Sequence, residues 1–196
     1  MGIKKEIPIK MKKKILWITE SAVMLALLVT LQTLTKPAGQ LVTGSCVNAC
    51  LAIAVLVGGL SCGLTVAFFS PIAAFLLGIA PQILTVPAIV IGNMVYVTIL
   101  YLLADRRGKK MIKQIMAWIL AAFFKFAVLY FIVIKLVCGV FAEDLLAKGM
   151  LKEPMLKALP ATFSYPQLIT ALVGGAVALS IAPILIRALH ADGVKE

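Results

Sequence analysis

The chain has 196 residues, of which 62% are hydrophobic, and its mean hydropathy is +1.08. A soluble domain is closer to half apolar, so this composition excludes an ordinary water-soluble fold and indicates a chain surrounded by lipid. The net charge of +11 would suggest nucleic-acid binding in a soluble protein. Here the basic residues stand between apolar segments and form no face interleaved with aromatic residues, so we expect no nucleic-acid partner.

The chain begins with a basic segment, residues 1–14, which we predict to be a cytoplasmic arm near anionic lipid headgroups. Six apolar segments follow, and a C-terminal tail, residues 190–196, closes the chain. The predicted helices cover residues 15–35, 45–58, 64–79, 87–104, 114–138 and 163–189. A helix of about 20 residues crosses a bilayer. The predicted fold is therefore an all-α integral membrane protein, a compact bundle of six transmembrane helices spanning residues 15–189.

The positive charges indicate how this bundle is oriented. The arm, the connection 105–113 and the C-terminal region from Arg187 carry 13 Lys and Arg residues, whereas the outer side has five, four in its connections and Lys135 close to that face in the fifth helix. Cytoplasmic segments of membrane proteins contain more Lys and Arg than the segments on the opposite side of the membrane. We therefore predict that both termini are cytoplasmic and that the connection 80–87, with a proline at either end of Pro81–Pro87, lies outside. The longest connection, 139–162, is predicted to be an outer loop with a short amphipathic helix.

Lys125 is the most informative residue of the sequence, because it lies near the middle of the fifth apolar segment. A charge at that depth is costly and usually serves a function. Snorkelling to the surface is the alternative, but the side chain is short for the distance. We expect Lys125 to contact a ligand or a buried partner, with a carboxylate, a phosphate or a polarised carbonyl as the group that it attracts.

Further polar residues are predicted to share one outward-facing pocket with Lys125. Asn93 and Asn48 lie within helices and could bind a polar ligand, or could form hydrogen bonds between helices. The remaining candidates belong to the connections at the outer surface or to the start of the last helix. The predicted substrate-binding residues are Lys125, Asn93, Asn48, Gln40, Thr43, Gln82, Tyr165 and Gln167.

Motifs for catalysis are absent from the sequence. It contains no HExxH, no Gly-x-Ser-x-Gly and no nucleotide-binding loop, so we expect no enzymatic activity and no cofactor bound by this chain. Cys46 and Cys50 are one helical turn apart, but no His or acid stands near them in sequence. We interpret them as packing residues and expect no metal site.

Ala22 and Ala26 form a small-xxx-small pattern in the first helix. Such patterns let two helices approach closely, within one bundle or between two proteins, and the pattern alone does not decide between them.

Together these features resemble the substrate-binding S component of an energy-coupling factor (ECF) transporter, the vitamin-uptake class. The resemblance covers about residues 12–190. It rests on the six-helix plan, on Ala22-x-x-x-Ala26, on the polar first connection and on the Pro81–Pro87 connection. Gly92-Asn93 and Lys125 are similar to the polar ligand positions of the riboflavin/pantothenate/folate-like branch.

This resemblance implies a binding subunit in the plasma membrane of a bacterium. It would capture a vitamin or related micronutrient outside the cell and carry it inward by toppling in the membrane. Ala22 and Ala26 would face a membrane-embedded T component, and two ATPase subunits on that component would use ATP. A stand-alone secondary carrier or channel for a small organic solute is the alternative, and a membrane enzyme or scaffold is a third hypothesis.

Overall fold

The computed structural model describes residues 9–79, 82–105 and 110–191, and within these ranges the chain is helical without a β-strand. The seven α-helices are α1 (Ile9–Thr35), α2 (Gln40–Leu76), α3 (Val86–Leu103), α4 (Met111–Leu129), α5 (Ala142–Ala147), α6 (Glu153–Phe163) and α7 (Tyr165–Ala191). Short 3₁₀ turns, Lys36–Ala38 and Ile83–Thr85, precede α2 and α3, and a π-helix, Tyr130–Val140, continues α4.

The long helix α2 is a hairpin. Gly59 interrupts it with φ 83° and ψ −177°, a backbone conformation that favours glycine. A straight helix of this length would separate its ends by about 55 Å. Instead, the Lys36 Nζ before α2 donates to the Gly78 oxygen after it, at 2.7 Å. The residues on either side of Gly59 therefore form two antiparallel arms, 40–58 and 60–76.

These arms correspond to the second and third apolar segments, but their boundaries differ from those predicted. The first arm begins at Gln40 instead of residue 45, since the helix takes up most of the expected polar connection. The sequence also predicts a gap between these two helices at residues 59–63, whereas helical structure resumes directly after Gly59. The reversal therefore needs one glycine and not a loop.

The first helix also begins earlier than predicted. α1 starts at Ile9, so the second half of the expected arm, from residue 9 to residue 14, is helical. Residues 1–8 lie outside the described part of the chain. The last helix ends near the predicted position, and the predicted tail lies almost wholly outside the described residues.

The main core surrounds the first arm of α2. α1, α3 and α7 all pack against α2, and α4 packs against α3 and α7. Leu51 and Val55 are fully buried at the centre, as is Tyr96 of α3. Alanines on α4 and α7, among them Ala121 and Ala178, are also fully buried, and their small side chains allow close helix contact.

A second, smaller core lies at the end of the bundle where α1 joins α2. It contains Leu129 and Val133 of the α4–π-helix segment and Leu159 and Phe163 of α6. The predicted amphipathic helix of the connection 139–162 thus corresponds to α6, preceded by the short helix α5. Its apolar face lies against the bundle end, so this connection is part of the packed structure.

By length and composition, five helical stretches could each cross a membrane. They are Lys14–Ala38, Gln40–Leu76, Ile83–Leu103, Met111–Val140 and Glu153–Leu189. The chain therefore fits a multi-pass, all-helical membrane protein. Two predicted connections are only partly described. Arg106, Arg107 and Lys109 of the connection 105–113, and Pro81 of the connection 80–87, lie outside the described ranges.

Candidate functional site

A cavity of about 160 Å³ opens at the end of the bundle where α1 joins α2. The helix connections at this end and the first turns of α2 and α7 surround it. Its lining residues are Gln32, Lys36, Gly39, Gln40, Thr43, Gly44, Val47, Asn48, Ile79, Ile89, Asn93, Lys125, Thr162, Phe163 and Gln167. We call this space the polar pocket.

Lys125 lies at the floor of the polar pocket and is only 3% exposed. It is 14 residues into α4, about 21 Å along the helix axis from its first residue. The Nζ atom donates to Asn48 Oδ1 at 2.5 Å and to Asn93 Oδ1 at 2.7 Å. It also lies 5.4 Å from the centroid of the Tyr96 ring. The amine therefore does not snorkel but is held by residues of two neighbouring helices, α2 and α3.

Both asparagines have a fixed orientation because an amine that donates needs an oxygen opposite it. The Asn48 Nδ2 then donates to the Gly44 oxygen at 2.9 Å and to Thr170 Oγ1 at 3.3 Å. The Asn93 Nδ2 has no hydrogen-bond partner among the described residues, although Asn93 is only 1% exposed. Asn93, which lines the pocket and accepts from Lys125, therefore has one unused amide donor.

Close contact between α2 and α7 positions Asn48. A Cβ atom added at Gly174 would overlap the Ser45 oxygen and would lie 2.7 Å from the Asn48 Cβ. Only glycine allows the two backbones to approach this closely. Thr170 stands one turn before Gly174 on α7, and this register brings its hydroxyl to the Asn48 amide.

The upper wall of the pocket is tied together by side chains that bond to backbone oxygens. The Thr43 hydroxyl donates to the Thr35 oxygen at 2.8 Å and the Gly39 oxygen at 3.1 Å. The Gln167 Nε2 donates to the Thr162 oxygen at 3.2 Å. The bond from Lys36 to Gly78 joins the α1–α2 and α2–α3 connections. The Thr43 and Gln167 bonds each fasten a single connection, α1–α2 and α6–α7 respectively.

Six of the eight predicted substrate-binding residues line this one cavity. They are Lys125, Asn93, Asn48, Gln40, Thr43 and Gln167. The other two lie elsewhere. Gln82 is buried and its Nε2 donates to Met155 Sδ of α6, so it fastens the α2–α3 connection to α6. Tyr165 is 74% exposed and its ring stacks on Phe126, which points away from Lys125 because neighbouring helix residues diverge by about 100°.

Sequence reasoning missed several lining residues, notably Gln32, Lys36 and Thr162. Gln32 could have been found, since it lies one turn after Leu28, the most buried residue of α1, and so shares the inward face of that helix. In the sequence, Lys36 reads only as a surface charge. Its place at the pocket depends on the position of Gly78, which is 42 residues away in sequence.

The charges around the polar pocket are of one sign. Its described lining includes two lysines, Lys125 and Lys36, and no acidic side chain. Across residues 9–79, 82–105 and 110–191, no three His, Cys, Asp or Glu side chains are grouped in a way that could hold a metal ion. The pocket is therefore suited to a small organic molecule with acceptor groups or negative charge.

Ala22 and Ala26 lie on the exposed face of α1. The opposite face, with Ser21 and Leu28, is buried against the bundle. The small-xxx-small pattern is therefore not used in contacts among the described helices. It presents a flat strip to the surroundings, as a contact with another helix would require.

Comparisons of the chain with protein-family models, curated proteins and solved structures find no match. The chemistry of the polar pocket and the arrangement of the helices around it therefore carry the functional argument.

Proposed function

We propose that this protein is the substrate-binding subunit of an ECF-type importer, which captures a vitamin-like micronutrient outside the cell. The observation that carries the proposal is the polar pocket, with a buried lysine at its floor and helix connections around its opening. A carrier that must bind a scarce solute needs such a pre-formed, enclosed set of donors. The absence of nucleotide-binding motifs in the sequence agrees with an energy source on other subunits.

The proposal includes six membrane crossings with both termini in the cytoplasm. Each arm of the α2 hairpin, 40–58 and 60–76, is an apolar helix close to the length that spans a bilayer. If both arms cross, the chain ends on the side where it began. The polar pocket then opens on the outside, and the connection after α3, rich in Lys and Arg, lies inside in agreement with the charge rule.

The proposal also assigns the exposed strip with Ala22 and Ala26 to the contact with a membrane-embedded T component. α1 packs against α2 through one face only, which leaves its other face available to a partner helix. Two ATPase subunits bound to that partner would supply the energy. Toppling of the whole binding subunit would then carry the solute inward without opening the bundle.

Co-purification tests the proposal directly. The tagged chain is expressed with the T component and ATPase subunits of its own organism, extracted in mild detergent and isolated through the tag. We expect the ATPases to co-elute. Ala22→Trp should abolish co-elution, because a bulky ring on the flat strip prevents close helix packing. Loss of the chain's own fold is checked by its elution volume in size-exclusion chromatography.

A matched control is Ile119→Trp, which adds the same ring to an exposed position of α4. α4 packs against α3 and α7, away from the strip on α1. This variant should assemble as the parent chain does. Co-elution of ATPases with the Ala22→Trp variant would refute the assigned contact, and failure of the parent chain to co-elute would refute the importer function itself.

A further inference from the structure

The floor of the polar pocket specifies more than a polar ligand. Hydrogen-bond donors outnumber acceptors at this floor, because Lys125 already occupies the amide oxygens of both Asn48 and Asn93. What is left over is a third N–H of the Lys125 ammonium and the Asn93 Nδ2 amide group, which has no partner in the described chain. The unused capacity at Lys125 and Asn93 is therefore donor capacity, whereas Gln32, elsewhere in the lining, has an Oε1 acceptor without a partner among the described residues.

The charge at the floor is also uncompensated within the described lining. Lys125 accepts no counter-charge from the neutral amides that it contacts, and among the described lining residues the only other charged one is Lys36, of the same sign. A buried charge without a counter-charge is unfavourable, and an anion bound beside it removes much of that penalty.

From this arrangement we infer that the ligand is an organic monocarboxylate whose carboxylate binds at the floor, between the Lys125 Nζ and the Asn93 Nδ2. Two donors, one of them charged, match the two oxygens of one carboxylate. A phosphate dianion would leave oxygens unbonded and one negative charge unpaired at this floor. The inference rests on the proposed function and narrows its substrate class from vitamin-like compounds to those with one acidic group.

The test compares acids with their amides, which have the same shape but no charge. The purified full chain in detergent is titrated with benzoate and benzamide, nicotinate and nicotinamide, and pentanoate and pentanamide, and binding is followed by ligand-observed NMR with empty micelles as the blank. Such small probes bind weakly, so titration extends to about 10 mM. We expect each acid to bind at least about 10-fold more tightly than its amide.

Two variants test whether Lys125 and Asn93 cause the preference for acids over amides. Lys125→Met removes the charge with little change in volume and should weaken acid binding by at least about 30-fold while leaving amide binding similar. Asn93→Asp keeps an oxygen for Lys125, removes the unused donor and supplies an internal counter-charge. It should therefore reverse the preference, so that amides bind more tightly than acids. Lys135→Met is the matched control, because Lys135 is an exposed lysine that does not line the pocket.

Equal binding of acids and amides to the parent chain, an acid preference that survives Lys125→Met, or no acid binding up to about 10 mM would each overturn the inference. The variants' elution profiles exclude misfolding as the cause of a lost signal. Co-purification with ATPases is scored separately. An acid preference without ATPase assembly would refute the importer and leave the carboxylate site standing, whereas assembly without an acid preference would refute the site alone.

Discussion

The two ends of the helical bundle each contain a cavity, and the two cavities differ in chemistry. The polar pocket, of about 160 Å³, includes Lys125, two asparagines and two glutamines of the predicted set. The cavity at the other end, of about 210 Å³, is lined mainly by apolar residues of α1, α2 and α7, with Thr19 and Glu20 as its polar members. Of these two spaces the larger is the less polar, whereas a third cavity, of about 320 Å³, lies between the end of α3 and the start of α4 and has Asp105, Lys110 and Lys113 in its lining.

The proposed binding site therefore rests on the chemistry of the polar pocket and not on its size. An apolar groove between helices is readily filled by lipid chains, whose chemistry matches its walls. A buried amine held by two amides has no such default occupant, and its cost must be balanced by something that uses it. The comparison predicts that substitutions at the polar end affect stability and binding together, whereas those at the apolar end do not affect binding.

The largest effect is expected from Gly174→Ala, because the added methyl would overlap the Ser45 oxygen and lie 2.7 Å from the Ala49 nitrogen. Backbone atoms cannot move aside as a side-chain tip can, so α2 and α7 must separate. We expect a loss of about 3 kcal/mol in unfolding free energy, the upper range for overpacking. Reversible unfolding in mixed micelles of increasing SDS content measures it.

Gly139→Ala is the control for this substitution. A methyl added there would contact the Ile134 oxygen at 3.5 Å, an ordinary van der Waals distance. Its effect should remain within about 1 kcal/mol, the size of the helix-propensity difference between the two residues. Similar losses for both variants would show that the α2–α7 contact is not closely packed.

A smaller effect, of about 2 kcal/mol, is expected for the coupling between Asn48 and Lys125. Asn48→Leu alone leaves the amine with one acceptor and Thr170 without its donor, which destabilises the chain. Once Lys125→Met is present, the same change should cost much less. A double-mutant cycle measured by SDS unfolding gives the coupling energy. Additive effects would mean that the two side chains do not form one network.

Much of the polar end follows from sequence reasoning, because the depth of a residue in an apolar segment is a property of the sequence. Lys125 and Asn93 are far from any charged boundary, and depth alone predicts that both are buried and bonded either to a ligand or to another helix. Depth also suggests that Gln82 and Tyr165 line the pocket, but the direction in which each side chain points depends on its neighbours. Gln82 turns toward Met155, and Tyr165 turns toward Phe126.

The α2 hairpin shows the second limit of sequence reasoning. A Gly-Gly pair predicts an interruption, but the extent of helical structure around it depends on packing between the two arms. A Cβ at Gly63 would lie 2.7 Å from the Val55 Cβ, so the arms are in contact directly beside the turn. This contact stabilises helical backbone up to Gly59, where propensity alone predicts a short loop.

Substitutions of two threonines, one at each end of the bundle, compare how much a hydroxyl contributes to the unfolding free energy, with an expected difference of about 1 kcal/mol. The Thr43 hydroxyl is buried and donates to the Thr35 and Gly39 oxygens, so Thr43→Val should cost about 1 kcal/mol. Thr19 is exposed beside the apolar cavity, and Thr19→Val should change stability by less than about 0.5 kcal/mol. Both are measured by the same SDS titration. Equal effects would remove the distinction between the two ends.

A similarly small change in stability is expected at Lys36, whose ammonium donates to the Gly78 oxygen across the opening of the polar pocket. The side chain is exposed, so Lys36→Met should reduce stability by no more than about 0.5 kcal/mol. Its effect on ligand exchange should be larger, because the bond joins two connections that border the opening. We expect the dissociation rate of nicotinate to rise about threefold, measured by NMR line broadening.

The same substitution separates two roles of Lys36. If its positive charge attracts the acid, Lys36→Met lowers the association rate, and added salt lowers that of the parent chain in the same way. If its bond to Gly78 holds the connections together, dissociation accelerates and salt has little influence on the difference. Lys36→Arg keeps the charge and can still donate, so it should restore both rates. An unchanged dissociation rate in Lys36→Met would show that the bond from Lys36 to Gly78 does not hold the opening.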